Sequence, residues 1–101
     1  MKILPEPLSF EWDKGNLGKN IKHEVSDKEA EETFINGQLL VFKDEKHSQI
    51  ENRYGFFGRT STGRLLSIVF TIRRDKIRII TARDTSKKER KAYEEKIKNH
   101  S

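Results

Sequence analysis

The chain has no cysteine, which excludes a disulfide-stapled scaffold, a thiol nucleophile, and any zinc or iron–sulfur site built on thiolates. Its two prolines, Pro5 and Pro7, both fall in residues 1–8, which read as an extended lead-in. No run of 18 apolar residues occurs, so nothing in it reads as a membrane span. The opening Met1–Pro7 is too short and acidic for a secretory signal, and the expected compartment is the cytoplasm. A P-loop, a glycine-rich dinucleotide fingerprint, a His-x-x-x-His pair and a Gly-x-Ser-x-Gly elbow are all missing, which argues against nucleotide-cofactor enzymes, zinc hydrolases and α/β-hydrolases. No cofactor and no metal site is expected. Apolar residues are scarce too, 33% against 37% charged over 101 residues. They nevertheless gather in discrete runs, as a disordered chain would not arrange them. One small domain results, with residues 9–98 as its body and 99–101 as a tail, and its core is thin enough to favour a partner.

Arginine is missing from the first half. Residues 1–51 hold seven lysines, no arginine and eleven acids, net −4; residues 52–83 hold seven arginines and one lysine against Asp75, net +7. The planar, permanently charged guanidinium is the side chain best suited to grip phosphate. The asymmetry therefore points to a half that faces nucleic acid, although arginine also decorates exposed strands for solubility alone.

The second half reads as two hairpins. Asn52–Thr60, Arg64–Arg73 and Lys76–Arg83 are alternating or β-branched, with turns at Ser61-Thr62-Gly63 and Arg74-Asp75. A two-residue loop at Arg74-Asp75 sets Ile72 opposite Ile77, Phe70 opposite Ile79 and Ile68 opposite Thr81. A three-residue loop with Gly63 in the left-handed position sets Gly58 opposite Leu66, Phe56 opposite Ile68 and Tyr54 opposite Phe70. Tyr54, Phe56, Leu66, Ile68, Phe70, Ile72, Ile77 and Ile79 then share one face, and Arg53, Phe57, Arg59, Arg73, Lys76 and Arg78 the other. By this parity Arg83 falls on the core side. In the first half, Phe10–Trp12 reads as a short strand, Lys14–His23 as a weak helix, and Leu39–Phe42 as a buried strand. Ser26-Asp27-Lys28-Glu29 and Ser86-Lys87-Lys88-Glu89 are capping boxes that open helices, the second running to about Lys98 with few apolar anchors.

Cleaving RNA through its own ribose 2′-hydroxyl needs no cofactor. It needs a base for the hydroxyl, an acid for the leaving oxygen, and cations around the phosphorane. His, Lys, Glu and Arg on one basic face supply these. Of the three histidines, His100 lies in the tail, whereas His23 and His47 are candidates, each also explicable as a solvent or structural residue.

Phe10-Glu11-Trp12-Asp13, Asn20, Lys22-His23 and Val25-Ser26, followed by His47-Ser48, Glu51, Arg53-Tyr54, Gly58, Gly63-Arg64-Leu65-Leu66, Phe70-Thr71, Arg73, Ile77-Arg78-Ile79-Ile80, Ala82-Arg83 and Lys88-Glu89-Arg90, resemble in order and spacing the BrnT family of toxins. The resemblance covers about residues 9–94. It implies a RelE-like α+β fold, with helices on one face of a small, mainly antiparallel sheet. It also implies an endoribonuclease that blocks translation and is neutralised by a ribbon-helix-helix antitoxin, in a two-plus-two complex that binds operator DNA through the antitoxin. Two positions depart from the pattern: Glu24 stands where the family usually has glycine, and Ile72 where a glutamate often sits. With that glutamate gone, Glu51, Lys22 or a histidine becomes the expected base. Roles follow: Arg53, Arg73 and Arg83 on the scissile phosphate; Lys22, His23 or His47 in proton transfer; Arg59, Arg64, Arg78, Lys87 and Lys88 along the RNA backbone; Phe57 stacking a base. The rival readings are a non-catalytic nucleic-acid-binding regulator, a degenerate toxin that retains antitoxin binding, and a protein-interaction module.

Overall fold

Hairpins joined by tight turns pair neighbours in sequence order, and a computed structural model shows that meander. It describes residues 4–35, 42–43 and 51–100. Strands β1 (Phe42–Lys43), β2 (Tyr54–Arg59), β3 (Leu65–Arg73) and β4 (Lys76–Asp84) form one antiparallel sheet in the order β1-β2-β3-β4. A 3-10 segment at Lys19–His23 and helix α1 (Asp27–Glu32) precede the sheet, and helix α2 (Lys87–His100) follows it. This is the expected α+β architecture. His47, the Asn36-Gly37 helix end and most of the Leu39–Phe42 strand lie outside the described residues.

Both turns form as the residue types dictate. Gly63 takes φ 87°, and Thr60 N–H donates to the Arg64 carbonyl at 2.9 Å, which closes a three-residue loop. Arg74 and Asp75 take φ 52° and 63°, the doubly left-handed turn that suits strand twist. The β2–β3 register is as read from the sequence, with Tyr54, Phe56 and Gly58 opposite Phe70, Ile68 and Leu66.

The β3–β4 register holds from Arg73–Lys76 to Phe70–Ile79 and then shifts: Val69 faces Thr81 and Ile68 faces Ala82. Ile80 is the extra residue of a bulge, so the expected pairing of Ile68 with Thr81 does not form. Burial gives the reason. Ala82 lies fully buried, its amide donating to Asn20 Oδ1 at 3.0 Å, a place where the larger threonine would have to bury a hydroxyl. A bulge also changes which way the residues after it point. Arg83 consequently faces Ser67 on the outer side of the sheet, not the core side that unbroken alternation assigns to it.

The core face carries Phe56, Leu66, Ile68, Phe70, Ile77, Ile79 and Ala82, with Ile72 packed at its margin. Val25, Ala30 and Phe34 from the first half cover it. Phe34 is the keystone, edge-on to Phe10, Phe56 and Phe70 at centroid distances of 5.3, 4.7 and 5.2 Å. Of the expected Phe10–Trp12 strand only a parallel bridge from Phe10 to Ile77 forms, at the open edge of β4: Ile77 N–H donates to the Ser9 carbonyl at 2.7 Å, and Glu11 N–H to the Ile77 carbonyl at 2.8 Å. Asn16 Nδ2 donates to the Ile79 carbonyl at 3.1 Å. Those bonds satisfy an edge that would otherwise invite pairing with another chain.

Helix α2 takes the other side. Its buried Tyr93 stands edge-on to Phe57 at 6.5 Å, with the Arg59 guanidinium 5.7 Å from the ring centroid. Buried Leu65, the strand partner of Arg59, belongs to the same face. Helices thus lie on both faces and not on one, because Phe57 and Leu65 make this end of the arginine face apolar enough to need cover.

A basic hollow at the end of the sheet

The 3-10 segment Lys19–His23 stops where Glu24 turns left-handed, with φ 60° and ψ 34°. Glu24 N–H bonds back to the Asn20 and Ile21 carbonyls, a helix-ending geometry that glycine adopts without penalty and other residues at about 1–2 kcal/mol. The glycine of the family pattern thereby has a physical reason, and so does the cost of departing from it. The turn leaves Lys22 exposed and His23 half-buried beside the far end of β4. Lys22, His23, Glu24, Arg83 and Asp84 line a shallow, open hollow of about 370 Å³. Lys22 and His23, alternatives for proton transfer in the sequence, and Arg83, expected on the phosphate, converge there.

The charged groups around the hollow are interlocked. Arg83 grips Glu89 of α2 through both terminal nitrogens at 2.9 Å, and its Nη1 also donates to the Asp84 carbonyl at 3.0 Å. Glu89 is at the same time the capping-box residue of α2, accepting from Ser86 N–H at 2.8 Å. Its carboxyl is held down at about 2, first by Arg83 and then by that amide. Asp84 pairs with Arg64 at 2.7 and 2.9 Å, and this bond lowers its pKa and raises that of Arg64.

The remaining charged candidates gather elsewhere. Glu51 sits between Arg73, at 2.9 Å, and Arg53, at 3.8 Å. Arg78, largely buried, forks onto Asp13 at 2.8 and 2.9 Å and reaches Glu11 at 3.2 Å. Arg78 raises its own pKa and lowers that of Asp13 by this pairing. Arg73 and Ser67, the strand partner of Arg83, are six residues apart on β3, so about 20 Å separates the two clusters. Apart from His47, which lies outside the described residues, the expected catalytic residues thus form two groups at opposite ends of the sheet, Lys22, His23 and Arg83 at one and Glu51, Arg53 and Arg73 at the other. Arg59 donates to the Gly63 carbonyl at 2.9 Å and lies over Tyr93, whose ring also meets Phe57. Lys87 and Lys88 are exposed at the start of α2.

Sequence reasoning missed Asp84 and Glu24 in the lining of the hollow, and Glu89 as the partner of Arg83. Glu89 was visible as a capping residue, but its partner across the strand end was not. Among the described residues, no three of His, Asp and Glu cluster as metal ligands, and no helix is long and apolar enough to cross a membrane.

An antiparallel sheet whose outer face and far end present guanidinium, ammonium and imidazole groups belongs to the class of small α+β proteins equipped to engage a polyanion. Residues 12–89 match the family described as ribonuclease toxin, BrnT, of type II toxin-antitoxin system, and the chain belongs to that family. A ribonuclease toxin of a type II system acts on RNA and has an antitoxin as its partner. No curated protein matches the chain.

Proposed function

We propose that the chain is an endoribonuclease whose chemistry takes place in the hollow formed by Lys22, His23 and Arg83. The observation that carries this reading is their convergence on one open space of about 370 Å³ from two distant parts of the sequence. In the proposed step, the ribose 2′-oxygen bonds to the adjacent phosphorus as the bond from phosphorus to the 5′-oxygen breaks. The 2′ proton goes to a base and a proton reaches the leaving oxygen, giving 2′,3′-cyclic phosphate and 5′-hydroxyl ends. His23 is the proton carrier, since an imidazole ring has one nitrogen that accepts a proton and a second that donates one. Lys22 and Arg83 offset the charge on the phosphorane. A phosphate reaching Arg83 competes with Glu89 for the same two nitrogens.

The chemistry of the lining supports a metal-independent route: Lys22 and Arg83 repel a hard divalent ion, and with Asp84 already given to Arg64 only Glu24 is left among the lining carboxylates to hold one. The further parts of the proposal rest on the family resemblance. They are a block of translation through loss of RNA, a ribbon-helix-helix antitoxin, a two-plus-two assembly that binds operator DNA through the antitoxin, and a cytoplasmic site of action.

The test is cleavage of a defined RNA by the free chain in excess EDTA, with the ends of the products identified. His23→Gln and Arg83→Gln should each lower the rate about 100-fold or more. Full activity in His23→Gln would move the chemistry out of the hollow. Cleavage that requires metal and leaves 5′-phosphate ends would replace the proposed step.

A further inference from the structure

The geometry points to Arg64 as a positioning residue that holds the Lys22–His23 turn against the end of β4; the inference rests on the hollow being the cleavage site. Arg64 follows the β2–β3 loop and reaches three other parts of the fold. Its Nε donates to Asp84 Oδ1 at 2.7 Å and its Nη2 to Asp84 Oδ2 at 2.9 Å. Nη1 donates to the Glu24 carbonyl at 2.6 Å and meets Glu29 Oε2 of α1 at 3.4 Å. Nη2 also donates to the His23 carbonyl at 3.3 Å.

A guanidinium has five N–H bonds, and these contacts use one each. None is left for a phosphate, and Arg64 is absent from the lining of the hollow. It acts from behind. One side of the hollow is the His23–Glu24 backbone and the other is Asp84; Arg64 bridges the two carbonyls and the carboxylate with one rigid plane. The bridge matters because Glu24 is in a left-handed conformation that its side chain disfavours, so the turn depends on its neighbours to keep its course. Lysine cannot replace this arrangement, since three donors on one nitrogen do not span a carboxylate and two backbone carbonyls.

The contrast with a phosphate-contacting arginine is measurable. Arg64→Lys in the free full-length chain keeps the charge and loses the fork. Its single-turnover cleavage rate should fall tenfold or more, because small misplacement of a reacting group is costly. Its affinity for an uncleavable, fully 2′-O-methylated RNA should stay within threefold of wild type, with the same log–log salt slope. Circular dichroism at the assay temperature confirms that the variant is folded. If Arg64→Lys does not fold, Asp84→Asn takes its place, with the rate again lowered tenfold or more while the affinity is no weaker than wild type, since the change removes a carboxylate from the lining. A cleavage rate unchanged in the folded variant overturns the inference. So does a salt slope reduced by about 0.7 with weakened binding, which is the mark of a lost phosphate contact to a single strand. His23→Gln separates this inference from the proposed function. If that variant cleaves like wild type, the hollow itself is not the site. If it is inactive while Arg64→Lys cleaves normally, the site stands and the positioning role falls.

Discussion

Glu24 shows how one residue's backbone preference bears on a site. The hollow needs the chain to reverse directly after His23, and the reversal uses a left-handed residue at φ 60°. Glutamate there costs about 1–2 kcal/mol, whereas glycine removes that cost and adds about 0.5–1 kcal/mol of unfolded-state entropy. Glu24→Gly should therefore raise stability by about 0.5–1 kcal/mol, read from a urea midpoint at unchanged m-value. A lowered midpoint would show that the side chain contributes more than its backbone strain costs. Ile72, the other departure from the family pattern, packs at the core margin opposite Ile77. Hairpin parity alone assigns it there, and no acid is needed at that position for the sheet to close. Gly58 has a different reason. A Cβ there would stand 2.7 Å from the Phe56 ring and 3.1 Å from the Thr33 carbonyl oxygen, so Gly58→Ala should cost about 1–3 kcal/mol in thermal or urea unfolding.

Between elements, the start of α2 is the most charge-dependent junction. Glu89 closes its own capping box and receives both nitrogens of Arg83. Its carboxyl is held at about 2 in the fold against an ordinary 4.5, and a lowered folded pKa means that the fold binds fewer protons than the unfolded chain. The stability this gives is fully present above about pH 4.5 and is lost as pH falls through about 2. The melting temperature should drop across that window. Glu89→Gln should melt lower at neutral pH and show a shallower drop, the difference between the two curves being the contribution of Glu89. Asp84, Glu29 and Asp13, also held low by hydrogen bonds, keep some acid sensitivity in both proteins. Parallel curves would mean that the Arg83–Glu89 pair does not bias folding. The β4 bulge acts at the same scale: one extra residue before Ala82 turns Arg83 from core to surface, and without it the hollow would lack its guanidinium.

Across the whole molecule, folding largely erases the charge division along the chain. Glu11 and Asp13 meet Arg78, Glu29 meets Arg64, and Glu51 meets Arg53 and Arg73. The acidic first half is the counter-charge of the arginine-rich second half. Most of these pairs are partly exposed and each contributes little to stability in salt; their larger effect is to decide which cations remain for RNA. Glu51→Gln removes the shared acid of Arg53 and Arg73 about 20 Å from the hollow. Sites so far apart act independently, so its cleavage rate should stay within about threefold of wild type. A loss comparable with that of His23→Gln would bring the distant cluster into the reaction. Bound antitoxin should raise the melting temperature, as any ligand of the folded state does, and should exclude RNA where it covers the hollow. Unchanged melting at saturating antitoxin would argue against a folded-state partner.

Hairpin strands, the Gly63 and Arg74-Asp75 turns, both capping boxes and the family pattern were legible in the sequence because each is local. A turn spans four residues, a capping box four, and alternation repeats every two. Local rules of this kind are enough to build a small sheet with Phe56, Ile68, Phe70, Ile77 and Ile79 inward and most arginines outward. Which charged residues meet is settled by the folded chain alone. Arg64 finds Glu24 across 40 residues, and Arg78 finds Asp13 across 65. No period in the sequence encodes such a pairing, since an exposed arginine looks the same whether a carboxylate or a phosphate awaits it. The register shift at Ile80 belongs with them. It answers to the fit of Ala82 beneath Asn20, a long-range packing contact that alternation does not carry, and through it Arg83 reaches the hollow beside His23.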